Sequence, residues 1–204
     1  MADLAEFLRK RPTQRRAQTT FDTLLDATAH LLDEIEFEEL NTNRIADRAG
    51  YSIGTLYKYF PDKQALVREL ALREIERGEH SFTTLIDAHD DSEAETLVRA
   101  LVKAATGMFA GRATLRRRVI GVVGLDPRLH HQMEDVVERI TDNLLQAVKV
   151  DRAAIQVERR FLILRAILLP IRNATMRAPH LLESPVFEDE LVAAMKALLL
   201  PAEQ

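Results

Sequence analysis

The sequence predicts an all-α chain, a small head of short helices followed by a larger helical body. Three observations carry that expectation. Apolar residues recur at helical spacing along nearly all of the 204 residues. Glycine and proline number 7 each, too few for a turn-dense sandwich or barrel. No stretch alternates apolar and polar residues as a half-buried strand does, and no internal repeat or low-complexity tract is visible.

The helices can be placed in order. Phe21, Leu24, Leu25, Thr28, Leu31, Leu32 and Ile35 mark one face of a first helix, with Asp22, Asp26 and Asp33 off that stripe. After a break at residues 36–40, Asn41 or Thr42 can cap a second helix whose inner side is Ile45, Ala46 and Ala49. Gly50 ends it where a left-handed residue is needed. Ser52 can cap a very short third helix that stops before Pro61, and Asp62 a fourth with Leu66, Leu70 and Ile75 inward. Ser92 and Glu95 fit a capping box opening a helix to about Ala110. A short helix is expected over residues 113–124. Asp126-Pro127 starts another, carrying Leu129, Met133, Val136, Val137, Ile140, Leu144 and Val148. Asp151 can cap one long helix with Ile155, Phe161, Leu164, Ile167, Leu168 and Ile171, kinked at Pro170. A loop with Pro179 and Pro185 then leads to a last helix.

Composition bounds the function. Apolar residues at 47% and charged residues at 29% describe a globular chain rather than a disordered one. The absence of cysteine excludes disulfides, thiolate metal sites and cysteine nucleophiles. No glycine-rich phosphate loop or nucleophile–base spacing suggests an enzyme or a cofactor. His130 and His131 are adjacent and point about 100° apart on a helix, a poor ligand pair, so no metal is expected. No apolar run approaches the roughly 18 residues that span a bilayer. The start MADLAEFLRKRP lacks an apolar stretch after a basic one, so no membrane association and a cytoplasmic location are expected.

Net charge is −4, but its distribution matters more than its sum. Arg9, Lys10, Arg11, Arg15 and Arg16 form a basic stretch, read either as a solvated tail that adds only general attraction or as an arm that could reach the minor groove or flanking phosphates of a duplex. An acidic block from Asp22 to Glu39 follows, and basic residues return at Arg44, Arg48, Lys58, Lys63 and Arg68. Arg116-Arg117-Arg118 is expected to be a solvated face.

Residues 42–60, TNRIADRAGYSIGTLYKYF, read as two short helices joined by a tight glycine turn, a helix-turn-helix. Its second helix must be short to enter a major groove about 12 Å wide. Leu56 and Phe60 anchor it, leaving Ile53, Gly54, Thr55 and Lys58 outward. Gly54 lets the backbone approach a base edge, Tyr57 and Tyr59 can place hydroxyls on phosphates, and Lys63 suits another phosphate.

This stretch resembles the DNA-binding domain of the TetR family of bacterial transcriptional regulators. The matching residues are Thr42, Ile45-Ala46, Ala49-Gly50, Ser52, Leu56-Tyr57, Phe60 and Lys63, within a resemblance that covers about residues 19–68. It implies that Thr42 and Tyr57 grip phosphates, that Asn43 and Arg44 approach the groove, that Ile53, Gly54, Thr55 and Lys58 face bases, and that Tyr59 and Lys63 meet the backbone. Two residues depart from the family pattern. Glu36 stands where glycine is frequent, so an exit from the first helix that is strained or differently shaped is expected. Tyr51 replaces a small aliphatic residue at the turn.

The resemblance also implies domains at 1–18 (the basic arm), 19–65 (the helix-turn-helix DNA-binding domain) and 66–204 (a helical ligand-binding and dimerisation bundle). Phe82, Met108, Phe109, Met133 and Phe161 are then candidates to line a cavity for a small-molecule effector. The last two long helices carry more apolar residues than one small bundle needs. Leu164, Ile167, Leu168, Ile171, Leu191, Met195, Leu198 and Leu199 are therefore candidates for a homodimer interface. A dimer also suits two half-sites one duplex turn apart. The function so implied is a regulator, expected to be a repressor released from a double-stranded DNA operator by its effector, the fourth helix acting as the lever. The alternative is a helix-turn-helix protein acting without an effector.

Overall fold

The structure, a computed structural model, describes residues 12–89, 92–110, 112–151, 153 and 155–199. Arg9, Lys10 and Arg11 of the expected arm lie outside the described residues. All regular structure among the described residues is helical. Residues up to Glu74, together with Arg118–Leu129, form one compact unit; Ile75–Arg117 and the chain from His130 form a second. The expected boundary at 65/66 thus falls inside the first unit.

In that unit α1 (Arg15–Glu34) buries Phe21, Leu24, Leu25, Leu31 and Leu32, as their spacing predicts. Thr28 also sits in the buried stripe, where its hydroxyl donates to the Leu24 carbonyl at 2.8 Å, so no polar group is left unsatisfied. Because α1 begins at Arg15, it takes in Arg15 and Arg16, which the sequence reading assigned to an arm. Two short helices follow, α2 (Thr42–Ala49) and α3 (Ile53–Tyr59), then α4 (Lys63–Asp87), which the Asp62 carboxylate caps through the Ala65 N–H at 2.8 Å. Leu24, Leu25, Leu32, Leu40, Ile45, Leu56, Leu66 and Leu70 close the core. The Phe21 and Phe60 rings stack at 4.9 Å, with Tyr59 edge-on to Phe21 at 6.1 Å.

The later part of α6 (Ala113–Leu125) and the start of α7 (Pro127–Ala147) belong to the same unit through two arginine contacts. Arg118 donates to the Leu32 carbonyl, near the C-terminus of α1, and pairs with Glu36 at 2.6 Å. Its side chain is only 12% exposed, which corrects the expectation of a solvated arginine run at this position. Glu36 is likewise no source of strain: Lys149 is the one described non-glycine residue with positive φ. Where the family often has glycine, this chain has a carboxylate that neutralises an arginine. Asp126 caps α7 through the Arg128 N–H at 3.0 Å and pairs with Arg68 at 2.8 Å.

In the second unit α5 (Ala94–Ala110) is the centre. It packs against α9 (Arg165–Arg177), α10 (Pro185–Leu199) and the 3₁₀ turn Pro179–Glu183 between them, where the sequence suggested a loop. Leu97, Val98, Leu101 and Val102 meet Ile167, Ile171, Leu191 and Met195 in its core. The single kinked helix expected from Asp151 is instead α8 (Val157–Leu162) and α9, parted at Ile163-Leu164. The Ile163 N–H bonds to the Arg160 carbonyl, a tightened turn that buries Ile163 and Leu164 together. Pro170 lies inside α9 and does not end it.

Burial corrects the expected dimer residues. Leu164, Ile167, Ile171, Leu191, Met195 and Leu199 are at most 6% exposed within one chain, and Leu168 and Leu198 are half-buried. They build the body's own core. The large apolar side chains left exposed in this unit are Val157, Phe161, Leu162, Leu169, Met176 and Val186.

Arg118→Ala is expected to cost about 1–3 kcal/mol, because it strips a charged donor from a carbonyl and a carboxylate at once. Glu36→Ala removes only the exposed partner and should cost under about 1 kcal/mol. Denaturant titration of both variants checks the order.

Candidate nucleic-acid interface

The α2–α3 corner is held by three local devices. The Asn41 side chain caps α2, accepting from the Arg44 N–H at 3.0 Å. Gly50 closes it at φ 72°, ψ 26°, the left-handed conformation that an L side chain resists. Ser52 caps α3, its Oγ accepting from the Thr55 N–H at 3.2 Å. Leu56 and Phe60 are fully buried and fasten α3 to the core from its inner side. The opposite side carries exposed Gly54, Tyr57 and Lys58, with Ile53, Thr55 and Tyr59 half-buried at its edges.

The polar groups on this face are arranged as follows. Thr42 Oγ1 and Tyr57 Oη are 3.1 Å apart, so α2 and α3 present two hydroxyls side by side. Asn43 and Arg44 are exposed in the first turn of α2, where Arg44 reaches the Glu39 carbonyl at 3.5 Å. The Thr55 hydroxyl lies 2.9 Å from Ser52 Oγ and so has a local partner. Gly54 is bare without need: a Cβ there would meet only Ser52 Oγ, at 3.9 Å. A concavity of about 610 Å³ opens beside α3, lined by Pro12, Thr13, Gln14 and Ala17 on one side and Gly54, Tyr57, Lys58 and Tyr59 on the other.

Three expectations change. Lys63 does not hold its ammonium outward. It donates to the carbonyls of Phe37 and Leu40, each at 2.9 Å, and lies 4.6 Å over the Phe37 ring. The ammonium therefore closes the α1–α2 turn, which has carbonyls without helix partners, and the phosphate role is withdrawn. Tyr51, the departure at the turn, reaches back to α1, where its hydroxyl accepts from Thr20 at 3.4 Å. Sequence reasoning also missed Thr13 and Gln14 on the rim of the concavity. Nothing in their local pattern marks them, since only packing brings the start of α1 beside α3.

Arg48 forms a two-pronged pair with Glu34, with one contact at 2.9 Å, and so ties α2 to α1. That hydrogen bond holds the Glu34 carboxyl below the usual carboxylate range.

Residues 24–70 match the family model described as bacterial regulatory proteins, tetR family. The head of the chain, over those residues, is that of the TetR family of bacterial transcriptional regulators. The chain is 27% identical over 151 residues to the nucleoid occlusion factor SlmA of Idiomarina loihiensis, covering 72% of this chain and 74% of that one. It is 41% identical over 54 residues to the HTH-type transcriptional repressor KstR of Rhodococcus jostii, which is 26% of each chain. The fold is shared with the transcriptional regulator FadR of Bacillus subtilis, solved with stearoyl-CoA, at a TM-score of 0.62 and 15% identity over 90% of this chain and all of that one. Among the described residues no helix is long and apolar enough to cross a membrane.

The effector candidates of the second unit divide. Phe82, Met108, Phe109 and Met133 are half-buried in the second unit, with Met108 Sδ packed toward Gly78 and Arg116 about 5.9 Å from the Phe109 ring centre. Phe161 is 57% exposed beneath the Arg165 guanidinium, 4.0 Å away, and does not line an interior. His131 lies on an exposed turn of α7, 3.8 Å from Asp135.

Lys63→Met is expected to lower the melting temperature, with a loss of about 2 kcal/mol for the abandoned carbonyls. The salt dependence of DNA binding should stay unchanged, since no phosphate loses a partner. Circular dichroism melts and binding isotherms across salt check both halves.

Proposed function

We propose that this protein is a homodimeric repressor that reads a two-fold DNA operator and leaves it when a small molecule binds the body. One observation carries the DNA reading. The exposed side of α3 is bare at Gly54 although the chain has room for a side chain there. That bareness makes sense where another surface must come within backbone distance. Thr42 and Tyr57 offer paired hydroxyls to a phosphate, Lys58 and Ile53 face the base edges, and Asn43, Arg44, Ser52, Thr55 and Tyr59 frame the contact. The repressor sense follows the KstR likeness of the head. The effector reading draws on the half-buried Phe82, Met108, Phe109 and Met133, and on FadR having been solved with an acyl-CoA.

A second reading is DNA binding without an effector. The likeness to a protein named a nucleoid occlusion factor, SlmA, runs through most of the chain, whereas that to a protein named a repressor, KstR, stays in the head. A thermal-shift screen with fatty acyl-CoAs and other apolar molecules separates the two.

The dimer face is carried by Leu169 and Met176 on α9, with Leu162 at the end of α8 and Val186 at the start of α10. A dimer would supply two α3 helices, as two half-sites one duplex turn, about 34–36 Å, apart require.

Selection of bound duplexes from random oligonucleotides tests the main reading, which fails if none is retained in low-salt buffer. Gly54→Ala should fold as well as the parent or gain up to about 1 kcal/mol from helix propensity. The same variant should lose operator affinity at least tenfold, so that melting and gel shift move apart. Leu169→Glu with Met176→Glu should give a folded monomer by light scattering.

A further inference from the structure

The cations of the first unit fall into two groups. Arg48 pairs with Glu34, Arg68 with Asp126, Arg73 with Asp26 and Arg118 with Glu36, while Lys63 is held by backbone carbonyls. Arg15, Arg16, Arg44 and Lys58 are exposed and have no acidic partner among the described residues, Arg44 reaching only the Glu39 carbonyl at 3.5 Å. Lys58 lines the concavity beside α3, and the opposite side is Pro12, Thr13, Gln14 and Ala17, so Arg15 and Arg16 belong to the segment that borders it, next in sequence to residues that line it.

Local stability does not account for the two arginines. They sit at the N-terminus of a 20-residue helix, where the backbone dipole favours acids and disfavours cations. The first turn holds no acid, and the Gln14 side chain makes no capping bond. A sequence that breaks a local rule in this way is expected to do so for a ligand. No acid occurs between Glu6 and Asp22, and Arg9, Lys10 and Arg11 precede the turn in sequence. A polyanion is the partner that this concentration of uncompensated charge fits.

We propose that the first turn of α1 is a second DNA contact of each head, in which Arg15 and Arg16 bind backbone phosphates bordering the groove that α3 enters. This rests on the DNA reading above and assigns to the contact a role in affinity, not in sequence choice. Each arginine neutralises one phosphate and releases its condensed counterion, about 0.9 unit of slope in log K against log salt concentration.

The test uses the full chain and a duplex recovered by the selection above, beside a scrambled duplex of equal length. Arg15→Ala with Arg16→Ala should bind both duplexes at least tenfold more weakly at moderate salt. The salt slope should become shallower by about two units per bound head, about four for a dimer with both heads bound. Arg15→Lys with Arg16→Lys should restore the slope, and the melting temperature of neither variant should fall. The proposal is overturned if the parent binds and the alanine variant keeps its slope, or if the loss is confined to the selected duplex, or if lysine fails to restore the slope. Should the parent bind no duplex, the DNA reading itself fails instead.

Discussion

A helix of seven residues has no stability of its own in water, because nucleation is unfavourable and too few hydrogen bonds follow. α3 exists because Leu56 and Phe60 are fully buried and because Phe60 stacks on Phe21 from α1. Everything that makes the head useful depends on this anchoring. With one side fixed, the other can be stripped to glycine, hydroxyls and a lysine without loss of structure. The caps from Asn41 and Ser52 and the left-handed Gly50 then set the angle at which that side is presented.

Charge is sorted with similar economy. Most arginines of the head join one helix to another or hold carbonyls at helix ends, so they act as structural ties. Arg118 is the clearest example, since it meets a carbonyl and a carboxylate at the exit from α1. Lys63 plays the same part for the α1–α2 turn. Of the cations without an acidic partner among the described residues, Lys58 lines the concavity, and Arg15 and Arg16 belong to the segment that borders it. A net charge of −4 therefore says little about what the head attracts.

The body shows how apolar load divides between a core and a surface. α5 needs neighbours on several sides, and α9, α10 and the 3₁₀ turn provide them. Leucines that look abundant enough for a second subunit are consumed by that packing. The turn at Ile163-Leu164 allows α8 and α9 to depart in different directions, and it is this break that leaves Phe161, Leu162, Leu169 and Met176 outward.

The order of the first seven helices, the caps at Ser52 and Asp62, the left-handed Gly50 and the anchors Leu56 and Phe60 were all legible in the residues. Each depends on contacts a few positions apart, where spacing alone sets the geometry. Four matters were decided only by the tertiary structure: Lys63 and Arg118 turning inward, Tyr51 reaching Thr20, Thr13 and Gln14 facing α3, and α9 and α10 burying their leucines within one chain. Each joins residues distant in sequence, and a cation or a leucine carries no local mark of whether its partner is water, another subunit or a carbonyl across the fold.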